Sequence, residues 1–332
     1  MTVSRRLLLS TTLALFASIT ALGMAPYAAT AAEEYPSRPV TLLVPAAAGG
    51  TTDIVARLVA EGMTKELGRQ FIVDNKGGAS GNIGIRNAAG AEPDGYTLLV
   101  TFSGYQVTNP WLFKKPGWDP VKSFVPVGLV AKAPFLIIAK KDLPVTTLPE
   151  LIAYAKQKPG DLTYASSGAG SLQHIGAEQL QQITGTKMLH VPYKGAGPAM
   201  TDLLGGVVDI YITSPPSAAA HLKNGSVKGL AMAAPERHPM LPEIPTAAEA
   251  GVPGLNLVSW YAVYAPAGTP QSIVDRLAGS LDKVANSDHF RQRLMEQGAY
   301  AAFMGPKELG EFTRSELAYW GDVITKANIA LE

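Results

Sequence analysis

Two stretches of small residues stand where a strand gives way to a helix, and both have the composition of an anion-binding turn. The first is Pro45-Ala46-Ala47-Ala48-Gly49-Gly50-Thr51-Thr52-Asp53; the second is Ser166-Ser167-Gly168-Ala169-Gly170-Ser171. The first-turn N–H groups of a helix have no partner within the helix, and its dipole favours negative charge there. Glycine and alanine let a ligand approach the backbone closely. Two such turns, one in each half of the chain, would grip one small anion from opposite sides. The plainer alternative is that both are tight connections in which Thr51 or Thr52 and Ser171 serve as N-caps. Neither turn is a nucleotide fingerprint, because the first lacks Gly-Lys-Ser/Thr and neither completes Gly-x-Gly-x-x-Gly.

Side chains near these turns allow several roles. Asp53 would repel an anion if it pointed inward, and it is equally suited to the first turn of a helix, where the dipole favours an acid. His174, one turn into the second helix, would donate to a carboxylate or simply pack. Phe102, Tyr105, Trp111, Tyr193, Trp260 and Tyr261 lie at strand ends or loops, where some would wall a cleft and the others fill cores. For catalysis the sequence offers little. Gly-x-Ser-x-Gly and His-Glu-x-x-His are both missing. The five histidines are scattered, and Ser171 with His174 lacks an assigned third member. A secreted serine hydrolase acting on a carboxylic ester stays open as the alternative reading.

The elements that must position these residues alternate in type. Val40 to Val44 reads as a buried strand, and Asp53 to Leu67 as a helix with apolar positions at helical spacing, stopped by Gly68. Strands are expected at 71–73 and 97–102, with a short helix at 83–89 between them. A long irregular stretch is expected from Ser103 to Ser123, then two separate β-runs at 125–130 and 135–138. Thr147-Leu148-Pro149-Glu150 reads as a capping box opening a helix to about Lys156. Further strands are expected at 162–165, 209–213 and 227–232, with an extended run at 256–264. Helices are expected at 172–183, 271–285, 289–297 and 307–326. Alternation of this kind implies two α/β lobes, each a mostly parallel sheet flanked by helices.

Arg5-Arg6, the apolar run Leu7 to about Leu22 and the small residues 28–32 have the layout of a secretory signal peptide over residues 1–32, cleaved near Ala31 or Ala32. The apolar run is short for a membrane span. Ser4-Arg5-Arg6-Leu7 also loosely resembles a twin-arginine signal. With those two arginines removed, 26 basic residues (28 less two) face 27 acidic ones. Near-neutral charge argues against nucleic acid as a partner. The chain has no cysteine, which excludes thiol catalysis and cysteine-ligated metals. No metal or other cofactor is expected.

A longer set of motifs carries a resemblance. In order they are Tyr35-Pro36-Ser37-Arg38-Pro39-Val40, Pro45 to Asp53, Asn75 to Gly84, Pro93-Asp94-Gly95-Tyr96-Thr97-Leu98-Leu99, and Tyr164 to His174. Val191-Pro192-Tyr193-Lys194-Gly195, Pro245 to Gly251, and Ala265-Pro266-Ala267-Gly268-Thr269-Pro270 complete it. Together they resemble the substrate-binding proteins of tripartite tricarboxylate transporters, also called Bug proteins. The resemblance implies a periplasmic, non-enzymatic, monomeric solute receptor with a two-lobed Venus-flytrap (periplasmic-binding-protein) fold. One lobe would comprise 36–137 plus 263–332 and the other 138–262, joined by crossing strands. The ligand would be a small organic carboxylate: a di- or tricarboxylate, an acidic amino acid or an aromatic acid. The partners would be membrane transporter subunits or a sensor kinase. By family pattern the contacts fall on Gly49, Gly50, Thr51, Thr52 and Asp53 and on Gly168, Ala169, Gly170, Ser171 and His174. Ser103 and Ser214, which follow strands expected to end at the cleft, join them. The run Ala46-Ala47-Ala48 departs from the bulkier or proline-containing segment of many relatives.

Overall fold

Strands of continuous apolar sequence are buried on both faces here, and the helices take the amphipathic segments. A computed structural model describes residues 35–239 and 241–326. The chain divides into the units Met1–Ser37 and Arg38–Glu332, and the expected signal segment 1–32 lies outside the described residues.

The first half-sheet begins with β1 (Val40–Val44), α1 (Thr51–Leu67), β2 (Phe71–Asn75), α2 (Asn82–Ala89) and β3 (Thr97–Phe102). Val40, Leu42 and Val44 are fully buried, as a strand covered on both faces requires. Val55, Leu58, Val59 and Met63 turn the buried side of α1 inward, and Gly68 ends the helix in the left-handed conformation at φ 66°. After β3 the stretch expected to be irregular instead coils through a wide helical turn at 104–108 into α3 (Asn109–Leu112). Pro110 occupies the first turn of α3, where its missing N–H is no loss.

The two runs expected at 125–130 and 135–138 are one strand, β4 (Phe124–Lys140). Its first part pairs antiparallel with β9 (Val258–Pro266) as far as Pro134↔Val258; from Phe135 onward it pairs with β7 (Ile210–Thr213) and β8 (Val227–Ala233). Pro134 therefore sits at the changeover between partners, where a missing donor is tolerated. The register shifts at 126/128 and 129/131.

The second half holds α4 (Leu148–Gln157), with the Thr147–Glu150 capping box formed as expected. Then come β5 (Thr163–Ser166), α5 (Leu172–Thr184), β6 (Leu189–Pro192), α6 (Ala196–Leu204), β7, α7 (Pro215–Lys223) and β8. After β9 the chain forms α8 (Gln271–Asn286), α9 (Asp288–Glu296), β10 (Tyr300–Met304) and α10 (Pro306–Lys326). The strand order is β2-β1-β3-β9-β4-β7-β5-β6, with β8 and β10 also paired to β4. β1, β2 and β3 run parallel, as do β5, β6 and β7, while β4 and β9 run antiparallel to their neighbours. The fold is a two-lobed α/β arrangement linked by shared strands. Its second core packs Leu136 and Ile138 of β4 against Tyr211, Ala199, Met200 and Leu203. Truncating any of these leucines or isoleucines to alanine would remove about 2–5 kcal/mol.

Candidate functional site

In a parallel sheet, ligands bind beyond the carboxyl ends of the strands. Four strands end at one place in this molecule. β1 leads through residues 45–50 to α1, β5 through 167–171 to α5, β6 through 193–195 to α6, and β7 through Ser214 to α7. A small cavity lies there, lined by Ala46, Gly50, Thr51, Thr52, Phe102, Tyr105, Ser167, Gln173, Gly195, Ala196, Ser214 and Tyr261. The first turn or N-cap of all four helices contributes to that wall. Three of the caps, Gly50, Gly195 and Ser214, make no side-chain hydrogen bond to their own helix. The α5 start differs, because the Ser171 hydroxyl accepts from His174 N at 3.4 Å. None of the lining residues is basic. The attraction such a wall holds for an anion resides in the backbone N–H groups at helix starts.

One side of the wall is aromatic. The Phe102 ring lies 4.5 Å from Tyr105 and 6.3 Å from Tyr261, centroid to centroid. Of the other aromatic candidates, Trp111 is half exposed with its indole N–H on Leu317 O, and Trp260 packs on Phe312. Tyr193 donates to Asp202.

The two halves touch across the cavity. Thr51 Oγ1 hydrogen-bonds Ser214 Oγ at 2.5 Å and Ser217 Oγ at 2.7 Å. Ser80 donates to Ala169 O, Tyr105 to Ser167 O, and Thr108 to Gly170 O. Backbones also approach closely: a Cβ on Gly50 would lie 3.2 Å from Ala196 Cβ, and one on Gly197 only 2.7 Å from Ala48 O. The cavity left between them is about 20 Å³, room for roughly one water molecule.

Of the residues expected at the site, Gly50, Thr51, Thr52 and Ser214 form its wall. The remaining ones are not among its lining, and their hydrogen bonds explain why. Gly49 N donates to Asp53 Oδ2 at 3.0 Å, and Arg57 pairs with the same carboxylate, so Asp53 is neutralised. Burial pushes the Asp53 carboxyl up, but the bonds from Arg57, Gly49 and Asn75 outweigh it and hold the group below its ordinary range. Ser103 is fully buried and accepts from Trp260 N. The amides of the second turn are spent within it: Gly168 N donates to Ser166 Oγ, Gly170 N to His174 Nδ1, and Ser171 N to Gly168 O. His174 thus acts as a neutral acceptor, stacked on His190 at 3.9 Å with an interplanar angle of 6°. Burial lowers the His174 pKa, with the Glu178 charge opposing. Burial and the neighbouring His174 lower His190 to about 3. Ser171 is fully buried and occupied as a cap, which removes the case for it as a nucleophile.

Sequence reasoning missed Ser167, Gln173, Gly195 and Ala196 as wall residues. For the last two, the signal was the small-residue run Gly195-Ala196-Gly197, which follows a strand too short to read.

Among the described residues no helix is long and apolar enough to cross a membrane, and no group of three or more His, Asp or Glu could hold a metal ion. Solved structures share this architecture along most of the chain. The periplasmic binding protein BugD is 38% identical with a TM-score of 0.87, over 90% of this chain and 100% of that one. Rpa4515 of R. palustris, solved with adipate, is 39% identical with a TM-score of 0.87, over 90% and 99%. MatC of Rhodopseudomonas palustris, solved with malate, is 35% identical with a TM-score of 0.82, over 87% and 100%. The family model described as the tripartite tricarboxylate transporter family receptor matches residues 55–329. With the wall of helix starts at a cleft between two lobes, these matches identify the chain as a member of that receptor family, a family of periplasmic solute-binding proteins that carry out no chemistry on their ligands.

Proposed function

We propose that this protein captures a small organic carboxylate between its two lobes and delivers it unchanged. The observation that carries this reading is the convergence of four helix starts on a cavity wall with no basic residue. A carboxylate leaving water must recover its hydrogen bonds. Neutral N–H groups at helix starts supply them, each helix adding about 0.3–1 kcal/mol and up to about 2 kcal/mol where partly buried. Bound adipate and malate in the relatives point to the same ligand class.

The ligand contacts on this reading are Gly50, Thr51, Thr52, Ser167, Gln173, Gly195, Ala196 and Ser214. Residues 36–137 with 263–332 make one lobe and 138–262 the other. A cavity of about 20 Å³ is far below the several hundred Å³ of ordinary small-molecule sites. The ligand therefore enters when the lobes part, and it takes the place of direct contacts such as Thr51 to Ser214. The receptor works as a monomer in the periplasm and hands its cargo to membrane transporter subunits. Its mature amino terminus lies between Ala31 and Tyr35.

Calorimetry against carboxylic acids, with native mass spectrometry of protein purified without refolding, tests the reading. Saturable binding of an acid recovered unaltered is expected, with a smaller radius of gyration in solution scattering, since the ligand favours the closed form. Conversion of the acid or its esters to product would overturn it, as would an absence of binding across the series. Amino-terminal sequencing of the periplasmic protein checks the terminus, and an intact Met1 on a membrane-bound form would refute the processing.

A further inference from the structure

Trp111 takes no part in the cavity wall, yet α10 is shaped to hold it. Gly321 stands well inside that helix, where glycine is a poor helix former, and a Cβ there would lie 2.4 Å from Trp111 Cε2. The indole N–H donates to Leu317 O of the same helix. Held in this way the residue stays 49% exposed, whereas Trp118, Trp260 and Trp320 are at most 8% exposed. The fold fixes one indole at the surface, its polar edge satisfied and much of its apolar body in solvent.

The chain that follows is basic. Residues 111–123 contain Lys114, Lys115 and Lys122 against a single acid, Asp119. Asp119 is turned into the loop, where its Oδ1 accepts from the amides of Val121 and Lys122. Two arginines flank the loop. Arg86 of α2 lies against Gly117, where an added Cβ would meet its Cδ at 2.6 Å, and Arg314 of α10 shares a small hollow with Val121. All five cations are exposed, and among the described residues none is in an ion pair. The whole chain carries a formal charge of only +1, so this excess is local.

We propose that this face, Trp111 with Lys114, Lys115, Lys122, Arg86 and Arg314, docks the receptor on an anionic lipid surface. Protein partners are anchored by side chains that fill pockets, and the hollow beside Val121 and Arg314 measures only about 50 Å³. Unpaired cations on long side chains around one amphipathic indole suit a diffuse charge instead. Indoles settle at the headgroup level of a bilayer, and lysine and arginine are drawn to anionic headgroups. Every residue of the face falls within 36–137 or 263–332, so on the lobe division above the other lobe stays free to close while the receptor is docked.

Flotation of protein recovered from the periplasm tests this, with vesicles of phosphatidylcholine alone and vesicles holding an equal part of phosphatidylglycerol. Binding to the anionic vesicles is expected to be at least about tenfold stronger, and to be lost when ionic strength is raised from about 0.05 M to about 0.5 M. The triple variant Lys114→Gln, Lys115→Gln, Lys122→Gln should bind them about 100-fold more weakly, at about fivefold for each cation near the surface. It should melt with wild type, because the three side chains are exposed and unpaired. Brominated lipid should quench Trp111, the one exposed indole, and Trp111→Phe should remove most of that quenching. Equal binding to both vesicle types, no binding to either, or full binding by the triple variant would overturn the proposal. Binding that appears only when transporter subunits are reconstituted in neutral vesicles would overturn it too, and would assign the face to a protein partner.

Discussion

Valine at position 197 is expected to lower ligand affinity by about 100-fold or more, equivalent to about 2.7 kcal/mol. Gly197 lies in the first turn of α6, and a Cβ there would stand 2.7 Å from the carbonyl oxygen of Ala48, in the turn before α1. That neighbour is backbone, so no side-chain rotation relieves the clash. The turns 45–50 and 194–197 would be held apart, and a ligand gripped by one lobe would lose the contacts of the other. Because a ligand shifts the lobes only by as much as it prefers the closed form, the variant should remain expanded in scattering when a carboxylate that compacts the wild type is added. Gly279→Ala, where nothing stands within 4 Å of an added Cβ, serves as the control and should bind normally. Unchanged affinity in Gly197→Val would mean that these two turns do not have to meet.

The second large effect is loss of stability in mild acid. The His190 ring lies near-parallel to Tyr164 at 4.9 Å and to His174 at 3.9 Å, and its Nε2 sits 2.7 Å from Ser166 Oγ. Its pKa falls from about 6.5 in the unfolded chain to about 3 in the fold, through burial and the adjacent His174. A base with a depressed folded pKa takes up its proton more readily when unfolded. Its stabilising contribution is therefore complete above pH 6.5 and declines as pH falls from 6.5 towards 3. For one such histidine the loss by pH 4.5 is on the order of 2–3 kcal/mol, and His174 shifts in the same direction. The carboxyls of Asp53 and Asp209, held below their ordinary value of 3.8, keep nearly all of their stabilising contribution at pH 4.5 and lose it only as pH falls further. Urea midpoints measured at pH 7 and pH 4.5 should differ clearly in wild type and less in His190→Phe, which keeps the ring stack and removes the proton site. An equal drop in both proteins would place the acid sensitivity elsewhere.

What the sequence conveyed depended on how far each feature is local. Helix α1 was legible because Val55, Leu58, Val59 and Met63 recur at helical spacing and Gly68 ends the run. Helix α6 was not, since Gly197 and Pro198 in its first turn suggest a loop and β6 before it has only four residues. Strand β4 read as two runs because Pro134 interrupts the apolar pattern; its continuity comes from two different partners, β9 before that point and β7 with β8 after it. At the site, the turn before α1 was recognisable and supplies Gly50, Thr51 and Thr52 to the wall. The turn 166–171 has the same composition, yet its amides bond inward to Ser166, His174 and Gly168. Composition reports that a backbone is approachable. Whether its donors are free is settled by loop geometry.

The pairing of β3 with β9 also bears on the order in which the molecule is built. Leu99 meets Tyr264, whereas β4, β5, β6, β7 and β8 find all their mutual partners between residues 124 and 233. A chain emerging from the ribosome with its amino end leading presents β1, β2 and β3 first, but β3 lacks its antiparallel neighbour until β9 has been synthesised. Contacts so distant in sequence form slowly, because the intervening loop must lose its freedom before they reward it. The half-sheet made last as a whole is thus the one begun first, and the inserted half can mature while its host is still waiting.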